Sequence, residues 1–305
     1  MLAVKAAGVR HPRHFHCDGN IHIIIANTLF CVHGSMLAKQ SSFFQNMFKD
    51  GQPLEGESVA EAKPVPFPGL SVREFELILD VLYWIHPGPQ LSVYDHLLLL
   101  QLSDKFDMAT MKNFALEKLD KRKIPPILRL QYGVKCNIAD WVETAYEQLL
   151  RLPLHRIPTS HLILVDGALL LDVVRTKSAC DEFRRNMFLD LPTLVHDADC
   201  RSPEACTATW KMAFRTGFCA SYLNTDPTNY MTAVDATLAF RDVSVPSMRY
   251  QCLQLTKDYI ILSGVFREED EIIQSAIQAG LGRGSTEPLP NEEETALLMQ
   301  YAQQQ

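Results

Sequence analysis

Three residues in the C-terminal half could do metal or thiol chemistry. His196-x3-Cys200-x5-Cys206 places an imidazole and two thiols in a polar loop just ahead of a capped helix. That donor set suits zinc, but a closed zinc site takes four ligands. The nearby candidates for a fourth are Asp197 and Asp199. The other reading is ordinary loop and core residues, and spacing alone leaves both open. A denser group, His11, His14, His16, Cys17 and His22, lies near the N-terminus. On a strand His16 and His22 share a face, yet six positions at about 3.3 Å each separate them too far to hold one ion. These histidines read as exposed residues of a hairpin edge.

A nucleophilic enzyme would need a serine or cysteine beside a histidine and an orienting acid, and the sequence has no Gly-x-Ser-x-Gly elbow. Gly280-Leu281-Gly282-Arg283-Gly284-Ser285 has glycines at alternate positions, but no strand precedes it and no Lys-Ser/Thr follows. It reads as a helix stop followed by a linker rather than a phosphate loop. The sequence therefore assigns no catalytic residue, no metal ligand and no cofactor, and the chain is read as a non-enzyme. A small zinc- or thiol-dependent activity in the C-terminal half is the distant alternative.

Composition narrows the partners. The 305 residues carry 29 Lys and Arg against 36 Asp and Glu, a formal net charge of −7. Such a balance disfavours general nucleic-acid binding, which draws its affinity from phosphate neutralisation. No apolar run approaches the roughly 18 residues of a membrane span, and residues 1–15 lack the apolar core of a secretory signal. The eight cysteines mostly sit among apolar neighbours, as reduced core thiols of an intracellular protein of cytoplasm or nucleus would. The expected partners are proteins, with no nucleic acid and no membrane.

The elements that position these residues fall into two halves. Ile21–Ile25 and Leu29–Val32, joined by Ala26-Asn27-Thr28, read as a β-hairpin. Ser42–Phe48 places Phe43, Phe44, Met47 and Phe48 at helical spacing behind a serine cap. Lys49–Lys63 reads as a loop, and the proline-rich Pro64–Pro68 fits only an edge strand. Ser71-Val72-Arg73-Glu74 opens a helix with Phe75, Ile78, Leu79 and Leu82 on one face, ended by Pro87-Gly88-Pro89. A second helix carries Leu97, Leu100, Gln101 and Asp104, and a third, capped by Asp107, carries Met111, Phe114, Ala115 and Leu119. Past Pro125-Pro126 the pattern is all helical: 127–132, 137–151, 166–187, 203–223 and 248–280. The fourth of these has Ser202 as N-cap and Pro203 at its first position. The acidic, glutamine-ended tail reads as solvated, with a short helix at 292–303 as an option.

The order of these elements and several linked signatures resemble the BTB/POZ domain. Asp18-Gly19-Asn20-Ile21-His22-Ile23 resembles the first strand of the family, and Phe30-Cys31-Val32-His33 its F-x-V-H signature. Leu37 to Phe48 is similar to its L-x-x-x-S-x-F-F-x-x-M-F helix pair, and Pro68–Phe75 to its strand-to-helix step. The wording from Arg10-His11-Pro12 through Asp18-Gly19-Asn20, together with the helical C-terminal half, further resembles the expanded BTB families of mushroom-forming fungi. The resemblance implies an α+β BTB/POZ fold, a short β-sheet capped by helices, followed by an all-helical C-terminal region. The expected divisions are an N-terminal extension at 1–14, the BTB/POZ domain at 15–122, a helical region of unknown type at 123–281 and a tail at 282–305.

The resemblance also implies a protein–protein interaction module that forms a homodimer and serves as substrate adaptor for a cullin-based ubiquitin ligase. The alternative is an oligomeric scaffold or regulator without ligase. By resemblance Asp18, Phe30, His33, Leu37, Phe43, Phe44, Met47 and Phe48 are the interaction residues, with Asp18 and His33 a buried hydrogen-bonded pair. Leu54-Glu55-Gly56 departs from the hydrophobic-x-Glu motif of cullin adaptors. With no kelch repeat or zinc finger recognisable, 126–280 must hold any recruited substrate.

Overall fold

The computed structural model describes residues 8–50, 64–84, 90–163, 165–224 and 226–283. The loop at 51–63 with its Leu54-Glu55-Gly56 motif, the break at 85–89 and the tail beyond 283 lie outside them. The chain divides into two compact units between Ile124 and Pro125.

The N-terminal unit is built on a four-stranded sheet in the order β1-β3-β2-β4. The hairpin forms as the apolar runs dictate: β2 (Ile21–Ile25) pairs antiparallel with β3 (Thr28–Val32), from Ile21 opposite Val32 to Ile25 opposite Thr28. Ala26, at φ 50°, makes the tight turn. Ile23 and Ile25 are buried on one face of β2, whereas Leu29 to Val32 are all buried, as a continuous apolar run in a covered central strand should be. β4 (Val65–Pro66) adds to β2 at the sheet edge, where a proline removes no needed donor.

β1 (Val9–Phe15) pairs parallel with β3 and corrects the sequence reading. Residues 9–14 belong to the sheet rather than to an extension, and His11 and His14 are 6% and 5% exposed rather than open to solvent. The strand register shifts between Arg10 and Phe15. There His11 Nδ1 accepts the backbone N–H groups of Arg13 and His14 at 3.3 and 3.0 Å. This side-chain acceptor takes over donors that the irregular strand leaves unpaired, which lets a strand run through Pro12.

Helices cover the sheet. α1 (Gly34–Gln40) and α2 (Ser42–Asp50) are separated by Ser41. The Ser41 hydroxyl accepts the N–H of Phe44 at 3.1 Å and donates to the carbonyl of Phe106 at 2.5 Å. α3 (Val72–Leu82) starts with the full Ser71/Glu74 capping box, and α4 (Val93–Lys105) with a second one at Ser92/Asp95. Leu97 to Leu100 are buried all round α4, so this helix runs through the core. α5 (Ala109–Asp120) is not capped by Asp107: its N-cap is Met108, without a side-chain bond. Asp107 instead takes a left-handed φ of 49° and accepts from the Ser42 hydroxyl.

The C-terminal unit is helical. α6 (Pro126–Lys135), α7 (Ala139–Arg151), α8 (Thr159–Leu162), α9 (Gly167–Leu189) and α10 (Pro203–Ala213) come first. Ser202 holds the N-cap position of α10 but makes no cap bond. A π-helical segment (Phe214–Cys219) links α10 to α11 (Ala220–Tyr222), and α12 (Ala233–Arg241) follows with a Thr232/Asp235 capping box. The expected single helix over 248–280 is two, α13 (Tyr250–Ser263) and α14 (Arg267–Arg283). Gly264 breaks it at φ 72°, a conformation that glycine adopts without a Cβ penalty. α14 then runs through Gly280 and Gly282 to Arg283, so these two glycines do not stop it, and Gly284 lies outside the described residues. Trp210, Phe214, Phe218, Tyr222, Phe240 and Phe266 form the centre of this core.

Candidate interaction site

Two sequence signatures meet where the hairpin turns into α1. Gly34 N–H donates to Asn20 Oδ1 at 2.9 Å, and His33 Nε2 lies 3.3 Å from Asp18 Oδ2. Between these two residues, Gly19 packs so closely on β3 that a Cβ there would fall 2.9 Å from the backbone carbon of Cys31. Asp18, Gly19 and Asn20 thus fasten the start of β2 to the first turn of α1. The Tyr83 hydroxyl completes the junction: it accepts the His33 backbone N–H at 2.8 Å and lies 2.9 Å from His33 Nδ1. A tyrosine proton shared with Nδ1 leaves Nε2 as the donor to Asp18. The Asp18 carboxyl is held below the usual range by its own backbone N–H first and by His33 second. The Asp18–His33 pair is formed but not buried, since Asp18 is 76% exposed and His33 28%. Asp18 lies in the turn between β1 and β2, and His33 immediately precedes α1.

The interaction residues expected from the sequence divide by burial. Phe30, Leu37 and Phe44 have no exposed surface. They touch neighbours such as Phe75, 5.0 Å from Phe30, and Phe106, 5.3 Å from Phe44. Phe43 is 42% exposed on α2, Met47 and Phe48 are half-buried beside it, and Asp18 and His33 lie at the junction. Phe43 leans on Phe106 at 5.3 Å, so its ring is supported while one side stays open.

Residues 10–123 match the family model of the BTB/POZ domain. The chain carries a BTB/POZ domain. No curated protein matches the chain. BTB/POZ domains are protein-interaction modules, and the coarse function follows: this domain associates with proteins. The match begins within β1, which places that strand inside the BTB/POZ segment. No helix among the described residues is long and apolar enough to cross a membrane.

The N-terminal histidines of the BTB/POZ domain hold the sheet to α3. His14 Nε2 is 2.8 Å from Asp80 Oδ1, and Arg13 pairs with Asp80 at 2.7 Å and with Glu76. The His11 ring stacks on Phe30 with centroids 4.7 Å apart. Burial lowers the pKa of both imidazoles, and Glu76 and Asp80 oppose that only in part. His11, His14, His16, Cys17 and His22 form no converging ligand group.

The C-terminal unit does bring ligand atoms together. One ring nitrogen of His196 and the sulfurs of Cys200, Cys206 and Cys252 all lie within 4.8 Å of one another, the one such group of three or more among the described residues. The fourth member comes from α13, where neither Asp197 nor Asp199 would have pointed. Asp197 is instead ion-paired to Arg249 at 2.6 Å. Spacing could not reveal Cys252, which lies in a different helix far along the chain.

Proposed function

We propose that the protein acts through self-association of its BTB/POZ domain and serves as a substrate adaptor for a cullin-based ubiquitin ligase. The BTB/POZ match over residues 10–123 carries the reading. Two features support self-association. β1 is an outer strand of the sheet, and an open edge can pair with a second copy. Phe43 presents an exposed ring on the adjoining helical layer, of the kind that a two-fold interface can match with itself. The C-terminal unit would hold the recruited protein. The eight cysteines carry no disulfide, which supports an intracellular setting in cytoplasm or nucleus.

Light scattering on the full chain, alone and mixed with the N-terminal domain of a cullin, tests this. A mass of twice the chain that rises on adding cullin is expected. A dimer indifferent to cullin favours an oligomeric scaffold, and a monomer removes self-association.

A further inference from the structure

We propose that His196, Cys200, Cys206 and Cys252 bind one zinc ion in a closed structural site of the C-terminal unit. Three thiols and an imidazole are the donor set of structural zinc centres, and four protein ligands leave no open position for catalysis.

The geometry fits a metal better than it fits a chance meeting of cysteines. Two sulfurs bound at about 2.3 Å to one tetrahedral ion lie about 3.8 Å apart. Cys200 Sγ and Cys206 Sγ are 3.7 Å apart. His196 is presented in the ligating tautomer. The Thr207 hydroxyl donates its single proton to the Pro203 carbonyl at 2.9 Å, so at its 3.2 Å contact with His196 Nε2 it can only accept. Nε2 therefore carries the hydrogen. Nδ1 keeps the lone pair, and this atom is buried without a partner. A ring nitrogen fixed by an outer hydrogen bond, with the other free, is how a metal-ligating histidine is held.

The surroundings position the loop before any ion arrives. The segment from Asp190 to Ser202 has no helix or strand, yet it is tied at three points. Trp210 Nε1 donates to the Pro192 carbonyl at 3.3 Å, and the Thr256 hydroxyl of α13 accepts the Val195 N–H at 3.0 Å. Arg249 pairs with Asp197 and donates to the Asp199 carbonyl at 2.6 Å. The Asp197 N–H points at Cys252 Sγ at 3.2 Å, the N–H···S contact that steadies a thiolate. Three thiolates and one divalent ion leave a charge of −1, with the Arg249–Asp197 ion pair adding no net charge beside it.

Metal content decides the matter. The full chain, expressed with zinc in the medium and purified reduced without chelator, is expected to hold about one zinc per chain. Cobalt substituted for zinc should give the thiolate-to-metal charge-transfer band and tetrahedral d–d bands. Cys252→Ser and the more exposed Cys200→Ser should each lower bound zinc to less than about a tenth of that level, while Cys17→Ser, at an exposed position in the other unit, should keep it. Should Cys252→Ser not fold, Cys200→Ser and His196→Gln, checked by circular dichroism, provide the same reading. A chelator should lower the melting temperature of the wild-type chain. An absence of zinc in the reduced, zinc-grown chain would overturn the proposal. So would zinc retained by folded Cys200→Ser and His196→Gln, or a Cys200–Cys206 disulfide in protein kept reduced.

Discussion

Arg184 Nη2 on α9 lies 2.7 Å from Glu269 Oε1 on α14, with only 4% and 1% of the two side chains exposed. Both charges are fully occupied. Arg184 also donates to the carbonyls of Tyr222 and Met231 at 2.9 and 2.6 Å, and its guanidinium sits 4.3 Å from the rings of both Tyr222 and Tyr230. Glu269 accepts the hydroxyl protons of the same two tyrosines, and burial first and Glu269 second push both phenols up. One ion pair thus joins α9, α11 and α14 and the segment before α12.

Removing one partner of this pair leaves a buried charge uncompensated. Arg184→Met should cost about 3–5 kcal/mol, and Arg184→Met with Glu269→Leu should recover a large part of it. Urea unfolding of the three proteins checks this. Equal loss in the single and double variants would mean that the pair is not coupled as described.

The buried histidines of the BTB/POZ domain predict a dependence on acidity. His11, His14 and His96 have pKa values lowered chiefly by burial. Their unfolded forms therefore take up protons first, and stability is lost as pH falls below about 6.5. Of the charges acting on His14, those of Asp80, His11 and Arg13, only the first favours its charged form, and the rings of His16 and Tyr83 lie beside it. The lowered carboxyls of Glu76 and Asp95 add a second loss at lower pH, below about 4.5. Melting temperature measured from pH 7.5 to 5 should fall in the wild type. A flat or rising profile would contradict the burial of these rings.

Gly19 tolerates no side chain without backbone movement. Gly19→Ala should destabilise the domain by about 1–3 kcal/mol, the usual cost of overpacking, because the new Cβ would fall 2.7 Å from Cys31 Sγ and also 2.9 Å from the Cys31 backbone carbon, which no side-chain rotation can relieve. An unchanged denaturation midpoint would show that the junction of β2 and α1 yields easily.

Phe43 separates folding from association. Phe43→Asp places a charge where the ring is 42% exposed, so the melting temperature should shift little while any dimer dissociates. Sedimentation at several concentrations reads both species. A variant that still pairs as the wild type does would move the interface away from α2.

The hairpin, the Ser71 cap and the helical pairs were legible because each rests on a local pattern of period two or period 3.6. β1 was hidden by its own chemistry. His11, Pro12, Arg13 and His14 are poor strand formers, and they settle only because His11 supplies an acceptor and α3 supplies Glu76 and Asp80. Gly264 looked like one small residue inside a continuing apolar pattern, and only its left-handed backbone shows the break. The loop of His196, Cys200 and Cys206 was visible, but Cys252 reaches it through tertiary packing that no spacing rule contains.

Trp210, Phe214, Phe218 and Tyr222 recur every four residues, with neighbouring rings 5.0, 5.3 and 5.6 Å apart. Four residues overshoot a full α-helical turn by about 40° each time, so an unbroken α-helix would fan these rings out. The wider turns at Phe214–Cys219 absorb the overshoot and keep the column facing Phe240 and Phe266. The segment therefore carries one residue more than a plain helix would need, and chain length becomes part of the code here. A gene that lost a single codon between Phe214 and Phe218 would let the wider turns close to a plain α-helix, with the four rings spaced four, three and four residues apart and still on one face. At this place a deletion would be easier to accommodate than elsewhere in the helix, where it would rotate everything beyond it by about 100°.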